Sequence, residues 1–267
     1  MRKKIVQLEK VTKIFEDRQV KAIENISFEV LEGEFVSIIG PSGCGKTTIL
    51  QMIADLDDPG PSFGKILIDG KTPKEARKEG YFGIVFQESA LLPHLSPLGN
   101  VLIALRISRN SAGKTKQEKL KIAYKLLEKV RLDPKFWKNY YPYQLSGGMK
   151  QRVAIARALA VDPKLLLMDE PFGALDALTR EEMNFELLRI WQESNKLTVI
   201  FVTHSIEEAV LLSDRIIVLS SHPGRVVDEV KIDLSRPRSR LTKENSLFTK
   251  FVNQTRNILE QGNNNSR

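Results

Sequence analysis

The sequence has 267 residues, with 41 lysines and arginines against 33 aspartates and glutamates, and a single cysteine, Cys44. That length supplies one large core, or one core with a smaller lobe, without needing disulfide or metal staples, and one cysteine excludes an intrachain disulfide framework, which fits a reducing cytoplasm. The longest apolar runs, such as LLLM and IIVL, fall far short of the roughly 20 residues of a spanning helix, so a soluble or peripheral protein is expected. The positive surplus is spread along the chain, which favours a solvated basic surface over a dedicated arm for nucleic acid or an anionic membrane.

The N-terminal stretch MRKKIVQLEKVTKIF alternates apolar and polar residues and lacks the apolar block of a signal peptide, so it is read as strand. GEFVSIIG is the next clear strand, with a helix starting at Lys46. KILIDG, FGIVFQ, KLLLMDE, LTVIFVTH, DRIIVLSS and GRVVDEVKI follow as further strands. Several are apolar on both faces, as in a parallel sheet covered on both sides, whereas the alternating N-terminal strands fit an antiparallel part. From about Ser89 to Ala160 the strand signal stops and helical stretches take over, such as KQEKLKIAYKLLEKV with apolar Leu120, Ala123, Leu127 and Val130. Near the end, KENSLFTKFVNQTRNILE places Leu247, Phe248, Phe251, Val252, Ile258 and Leu259 on one helical face, ahead of a polar tail, QGNNNSR.

GPSGCGKT matches the phosphate-binding pattern G-x-x-x-x-G-K-[ST] and sits between an apolar strand and a helix, where the mechanism needs it. Gly40, Pro41, Ser42, Gly43, Cys44, Gly45, Lys46, Thr47 and Thr48 form this candidate phosphate site. Backbone N–H groups from Gly43 to Thr47 wrap a β-phosphate, Lys46 reaches the β and γ oxygens, and the Thr47 hydroxyl takes a place on Mg²⁺. LLLMDEP is an apolar strand ending in two carboxylates: Asp169 holds Mg²⁺ through water, and Glu170 orients or deprotonates an attacking water. VIFVTHS repeats the geometry and ends at His204, a donor to the γ-phosphate; His94 and His222 lie in loop-like surroundings and are read as ordinary surface residues.

A second glycine turn, LSGGMKQR, opens another helix, with Ser146 as a natural N-cap, Gly147 and Gly148 leaving the first turn bare, and a helix expected to run to Pro163. A helix start aims unpaired N–H groups and the positive end of a dipole at an anion. On a separate lobe, this turn is placed to serve the nucleotide of a second copy.

GPSGCGKTT, VFQES, LSGGMKQR, LLLMDEP, GALD and VTHS, in that order, resemble the ATP-binding subunits of ATP-binding cassette transporters over roughly Ile5 to Leu234. The resemblance implies an α/β P-loop NTPase (RecA-like) core with a mixed sheet, an antiparallel β subdomain and an inserted helical subdomain. It divides the chain into a nucleotide-binding core at 1–88 and 161–235, a helical subdomain carrying the signature turn at 89–160, and a C-terminal helix and polar tail at 236–267. It further implies two copies stacked head to tail, with two ATP molecules held between the Lys46 loop of one and the Ser146 turn of the other. On the same resemblance, Gln87 contacts Mg²⁺ and water, Asp176 contacts the other copy, and Phe15 stacks on adenine.

DEPFGALDALTR and HPGRVV look like the importer subgroup for nitrate, sulfonates, taurine and related solutes. That implies a peripheral subunit on the cytoplasmic face, working with integral-membrane permease subunits and an external solute-binding protein, and with no nucleic acid. Ser205, Lys150 and His94 depart from the common aspartate, arginine and tryptophan of the family pattern, and none of the three removes a catalytic group. The rival readings are a soluble cassette ATPase acting on nucleic acid or ribosomes, which usually carries a second cassette or a long coiled coil, and a phosphotransferase, for which the Ser146 turn has no purpose.

Overall fold

The computed structural model describes residues 2–16, 19–56, 60–194 and 196–264. In chain order its named elements begin with β1 (Lys4–Phe15), β2 (Val20–Leu31), β3 (Phe35–Ile39), α1 (Lys46–Ile53), β4 (Phe63–Ile68) and α2 (Pro73–Glu79). Then come β5 (Phe82–Val85), α3 (Pro97–Ile107), α4 (Lys116–Lys129), α5 (Pro134–Trp137), α6 (Gly147–Leu159), β6 (Leu165–Asp169) and α7 (Ala177–Gln192). The last are β7 (Thr198–Val202), α8 (Ile206–Leu212), β8 (Arg215–Leu219), β9 (Val226–Lys231) and α9 (Ser246–Asn264). These fall into two compact units, Met1–Arg77 with Thr198–Arg267, and Lys78–Leu197.

The first unit holds two sheets. β1 lies between β2 and β4 and is antiparallel to both, with Gln7 opposite Glu29 on one side and Leu67 on the other. Val6, Leu8 and Val11 are buried along β1, while Glu9 and Lys10 face out. The alternation is broken by register shifts near Val11, and Lys10 and Asn25 there take positive φ. The second sheet has β3 at its centre, parallel to β7 on one side (Phe35 opposite Val199) and to β8 on the other (Val36 opposite Arg215). β9 returns antiparallel to β8, which makes the sheet mixed. Every residue of β3 and β7 is buried, so neither strand shows a polar face. Phe35 and Phe201 meet at 6.0 Å with rings tilted by 47°, a pairing worth about 1 kcal/mol beyond its area.

Arg215 ties four segments of this unit together. Its guanidinium donates to Glu34 Oε1 at 2.9 Å and Oε2 at 3.1 Å, and also to Glu229 and the Glu29 carbonyl. Burial opposes its charge, but the hydrogen bonds from Glu34 and then Glu229 outweigh it, so the arginine is held more firmly protonated than in water.

In the second unit β5 and β6 pair in parallel, Phe82 opposite Leu165, and α3, α4 and α6 pack on one another. α4 starts with a capping box between Thr115 and Glu118 and buries Ala123 and Leu127, followed by buried Val130. α6 ends at Leu159 and not at Pro163 as expected: Ala160 is the C-cap, and Asp162 takes φ 53°. Proline disfavours helical backbone in the residue before it, so the helix closes short of that position.

α9 continues through Asn264, into what reads from sequence as a polar tail. Phe248, Val252 and Thr255 form its buried stripe, at helical spacing. Leu247, grouped by sequence with the apolar face, is 46% exposed because one residue along a helix rotates a side chain by about 100°.

Candidate nucleotide site

The first unit carries the glycine loop. β3 ends at Ile39, the loop runs over Gly40–Gly45, and α1 starts at Lys46 with Gly45 as its N-cap at φ 92°, a backbone region open to glycine at no steric cost. A methyl group on Gly45 would also lie 2.3 Å from Ile23 Cγ2. The Lys46 ammonium, 6% exposed, donates to the carbonyls of Gly40 and Pro41, both at 2.9 Å, and lies 3.9 Å from Cys44 Sγ. The lysine therefore staples the loop from inside. Burial pushes the Cys44 thiol up, with the Lys46 charge opposing. Ser42, Gly43 and Thr47 are exposed, so this part of the loop is accessible to a ligand.

The tip of the β8–β9 hairpin leans on this loop. Gly224 N donates to the Ala22 carbonyl at 3.0 Å, Glu24 N donates to the Gly224 carbonyl at 2.9 Å, and a methyl group on Gly224 would sit 2.0 Å from the Cys44 carbonyl oxygen. Arg225 beside it is paired with Glu24. Phe15, at the end of β1, is half-buried with the Lys13 ammonium 5.2 Å from its ring centre.

His204 is exposed at the end of β7, between two pinned neighbours. The Thr203 hydroxyl donates to Glu208 Oε2 at 2.6 Å and accepts from Ser205 N at 3.0 Å; Ser205 Oγ in turn accepts from Glu208 N at 3.3 Å and caps α8. Ser205 thus does the capping work an aspartate would do there.

The second unit carries the carboxylates and the second turn. Asp169 closes β6 at 9% exposure, and Glu170 follows, half-buried, with φ 40°. Positive φ at a non-glycine residue is a local backbone strain of about 1–3 kcal/mol that the surroundings must hold. The Glu170 carbonyl accepts from Gly173 N at 3.1 Å, and a methyl group on Gly173 would lie 3.7 Å from Glu170 Oε2 and 3.8 Å from Gln87 Nε2. Gln87 and Glu170 therefore converge on the same glycine. Arg180 fastens the rest of this loop through the carbonyls of Phe172, Gly173 and Leu175. Asp176 accepts from Thr179 N at 3.0 Å as the N-cap of α7, and that backbone bond, followed by the Thr179 hydroxyl, holds its carboxyl below the usual range.

Ser146 and Gly147 are exposed and Gly148 is buried. Ser146 Oγ accepts from Met149 N at 3.3 Å, and the Gly147 and Gly148 N–H groups of this 13-residue helix have no intrahelical acceptor. Three side chains given no role by the sequence, Gln151 within the second glycine motif among them, organise the neighbourhood. Gln151, 3% exposed on α6, donates to the Phe86 carbonyl at 3.1 Å, next to Gln87. Arg157 grips the carbonyls of Ser89 and Ala90, so the segment carrying Gln87 is strapped to α6 at both ends. Fully buried Asn100 binds Leu92 N and the carbonyls of Leu92, Leu95 and Ser96, which shapes the loop before α3. The available signal was a polar residue on the apolar face of a helix, in Gln151 and Asn100 alike.

A phosphate loop entering α1, a strand ending in Asp-Glu and a bare serine-capped helix start on one α/β chain define a nucleotide-hydrolysing cassette. The family model described as ABC transporter matches residues 23–173. The chain belongs to the ABC transporter family, as an ATP-binding, ATP-hydrolysing subunit. It is 50% identical over 257 residues to an uncharacterized ABC transporter ATP-binding protein of Methanocaldococcus jannaschii, covering 96% of this chain and 91% of that one. It is 44% identical over 252 residues to the aliphatic sulfonates import ATP-binding protein SsuB of Bacillus cereus, covering 93% and 94%. Among solved structures, the dimeric post-hydrolysis state of an ATP-binding cassette bound to ADP and Pi aligns with a TM-score of 0.75 and 37% identity, over 86% of this chain and all of that one. Among the described residues, no helix is long and apolar enough to cross a membrane.

Proposed function

We propose that this chain binds ATP between two copies of itself and hydrolyses it to drive import of a small solute of the sulfonate or taurine class through a separate membrane permease. The observation that carries the reading is the pair of glycine-flanked helix starts, α1 behind the Lys46 loop and α6 behind Ser146, one in each unit. Each suits one side of a triphosphate. The Gly43–Thr47 backbone and Lys46 bind the phosphates of one copy's nucleotide, Ser146, Gly147 and Gly148 of the partner copy close over its γ-phosphate, and Phe15 stacks on the base. Glu170 orients the attacking water, His204 donates to the γ-phosphate, and Asp176 meets the facing copy. The solute class is supported by the SsuB relative.

Mg²⁺ prefers hard oxygen donors and few protein ligands, and the Thr47 hydroxyl, the Asp169 carboxylate and the Gln87 amide oxygen fit that preference. When bound, the ion neutralises charge on the β and γ oxygens. Gln87 is tied through Phe86 and Ser89 to α6, so its movement is transmitted to the helical lobe at 89–160. The loop held by Asn100 is the surface offered to a cytoplasmic loop of the permease, with an external binding protein delivering solute from the other side of the membrane.

The deciding experiment is purification of the tagged chain from mildly solubilised membranes. Co-purification of a polytopic membrane protein is expected; ribosomes or DNA in its place would overturn the reading. In light scattering, Glu170→Gln is expected to accumulate a dimer in Mg-ATP with the permease subunits present, and Lys46→Ala to stay monomeric.

A further inference from the structure

α3 and α4 pack on each other, and the short connection from Ser108 to Thr115 brings the end of one beside the start of the other. At that end lies a pocket of about 320 Å³ lined by Leu102, Arg106, Lys114, Lys116, Lys119 and Leu120. Helical spacing orders its walls: Leu102 and Arg106 are four apart on α3, and Lys116 and Leu120 are four apart on α4, so each helix offers a leucine one turn inside a cation. Among the described residues no carboxylate lines it. The one acid in the first turn of α4, Glu118, is turned to the cap, accepting from Thr115 N at 2.7 Å and Thr115 Oγ1 at 2.9 Å. Lys114 donates to the Asn110 carbonyl at 2.6 Å, while Arg106, Lys116 and Lys119 form no ion pair among the described residues. Ile107, next to Arg106, is 76% exposed.

We propose that this pocket binds the headgroup of an anionic phospholipid, with Arg106, Lys114, Lys116 and Lys119 around the phosphate and Leu102 and Leu120 under its glycerol carbons. The inference goes beyond the function above and does not depend on it. Its size is at the lower end for small-molecule sites, which suits a headgroup. A free phosphate gains nothing from the leucine floor. A nucleic-acid strand would call for aromatic stacking surfaces, and the lining has none. Clustered lysines and arginines beside apolar side chains are the chemistry of attachment to an anionic leaflet.

The test is sedimentation of the full chain, at physiological ionic strength and without ATP, with phosphatidylcholine vesicles that either contain or lack phosphatidylglycerol. Binding only to the anionic vesicles is expected, weakened at least about tenfold by the double variant Arg106→Glu with Lys119→Glu. Lys250→Glu with Arg256→Glu, the same charge change on exposed positions of α9, is expected to bind within about twofold of the parent. Melting curves check folding, and the neutral pair Lys116→Ala with Lys119→Ala, expected to weaken binding less than the charge reversal, serves if the reversal misfolds. Absence of binding, equal loss in the α9 control, or displacement from vesicles by inorganic phosphate at matched ionic strength would each overturn the proposal. Retention of RNA instead of vesicles, lost in the pocket variant, would overturn it as well.

Discussion

Substituting Gly224 by alanine places a methyl carbon 2.0 Å from the Cys44 carbonyl oxygen, 3.2 Å from its carbon and 3.5 Å from Ile23 Cγ2. The first two neighbours are backbone and cannot rotate away, so the hairpin tip and the phosphate loop must part by about 1 Å to reach even a tight contact. Overpacking of this kind costs about 1–3 kcal/mol. The same movement strains the bonds from Gly224 N to Ala22 and from Glu24 N to Gly224, each worth about 0.5–1.5 kcal/mol. A total of about 2–6 kcal/mol lowers Tm by about 4–24 °C in a chain of this size. Because Cys44 belongs to the loop proposed to wrap phosphate, 1.4 kcal/mol of the strain reaching the loop is expected to weaken ATP binding about tenfold. Thermal melts with and without nucleotide, and titration of a fluorescent ATP analogue, read both effects. Gly60→Ala is the control: no atom of the described residues lies within 4 Å of its methyl position, and it is expected to stay within about 0.5 kcal/mol of the parent. If Gly224→Ala matches that control in Tm and in nucleotide affinity, the hairpin does not support the loop and the reasoning fails.

Two further outcomes follow from the charges. Arg215→Met strands the Glu34 carboxylate, 7% exposed, without its guanidinium and is expected to destabilise the chain by about 3–5 kcal/mol, read by urea unfolding; a loss under 1 kcal/mol would mean that water replaces the arginine. The Asp176 carboxyl has a depressed folded-state pKa because it accepts from Thr179 N, so its stabilising effect is complete above the ordinary carboxylate pKa of about 4 and is lost as pH falls through the lower folded value. The Tm difference between the parent and Asp176→Ala should therefore shrink in acid; a constant difference across that window would show that the ionised cap contributes nothing.

Much of the fold was legible because short-range rules dictate it. The buried strands Phe35–Ile39 and Thr198–Val202 read as mainly apolar runs, and the capped start at Ser146 follows local chemistry that tertiary context left alone. Helix ends were read less well. α6 stops at Leu159 and α9 runs to Asn264. The polarity of QGNNNSR describes its solvent preference, and does not prevent the helix from continuing once Phe248 and Val252 are docked.

By itself the sequence determined the chemical endowment of this protein: a lysine at the start of a helix behind a glycine loop, two carboxylates at the end of an apolar strand, and a serine-capped helix start with bare glycines. Those depend on residues adjacent in the chain, whose geometry local backbone rules settle. Only the tertiary structure decided which distant groups hold them in place: Gly224 against the Cys44 carbonyl, Glu208 on Thr203 beside His204, Gln151 and Arg157 on the segment of Gln87, and Arg180 on the loop after Glu170. The physical reason is that a buried carbonyl or carboxylate must find a donor, and the chain satisfies that demand with whichever side chain the packing brings near, however far away in sequence.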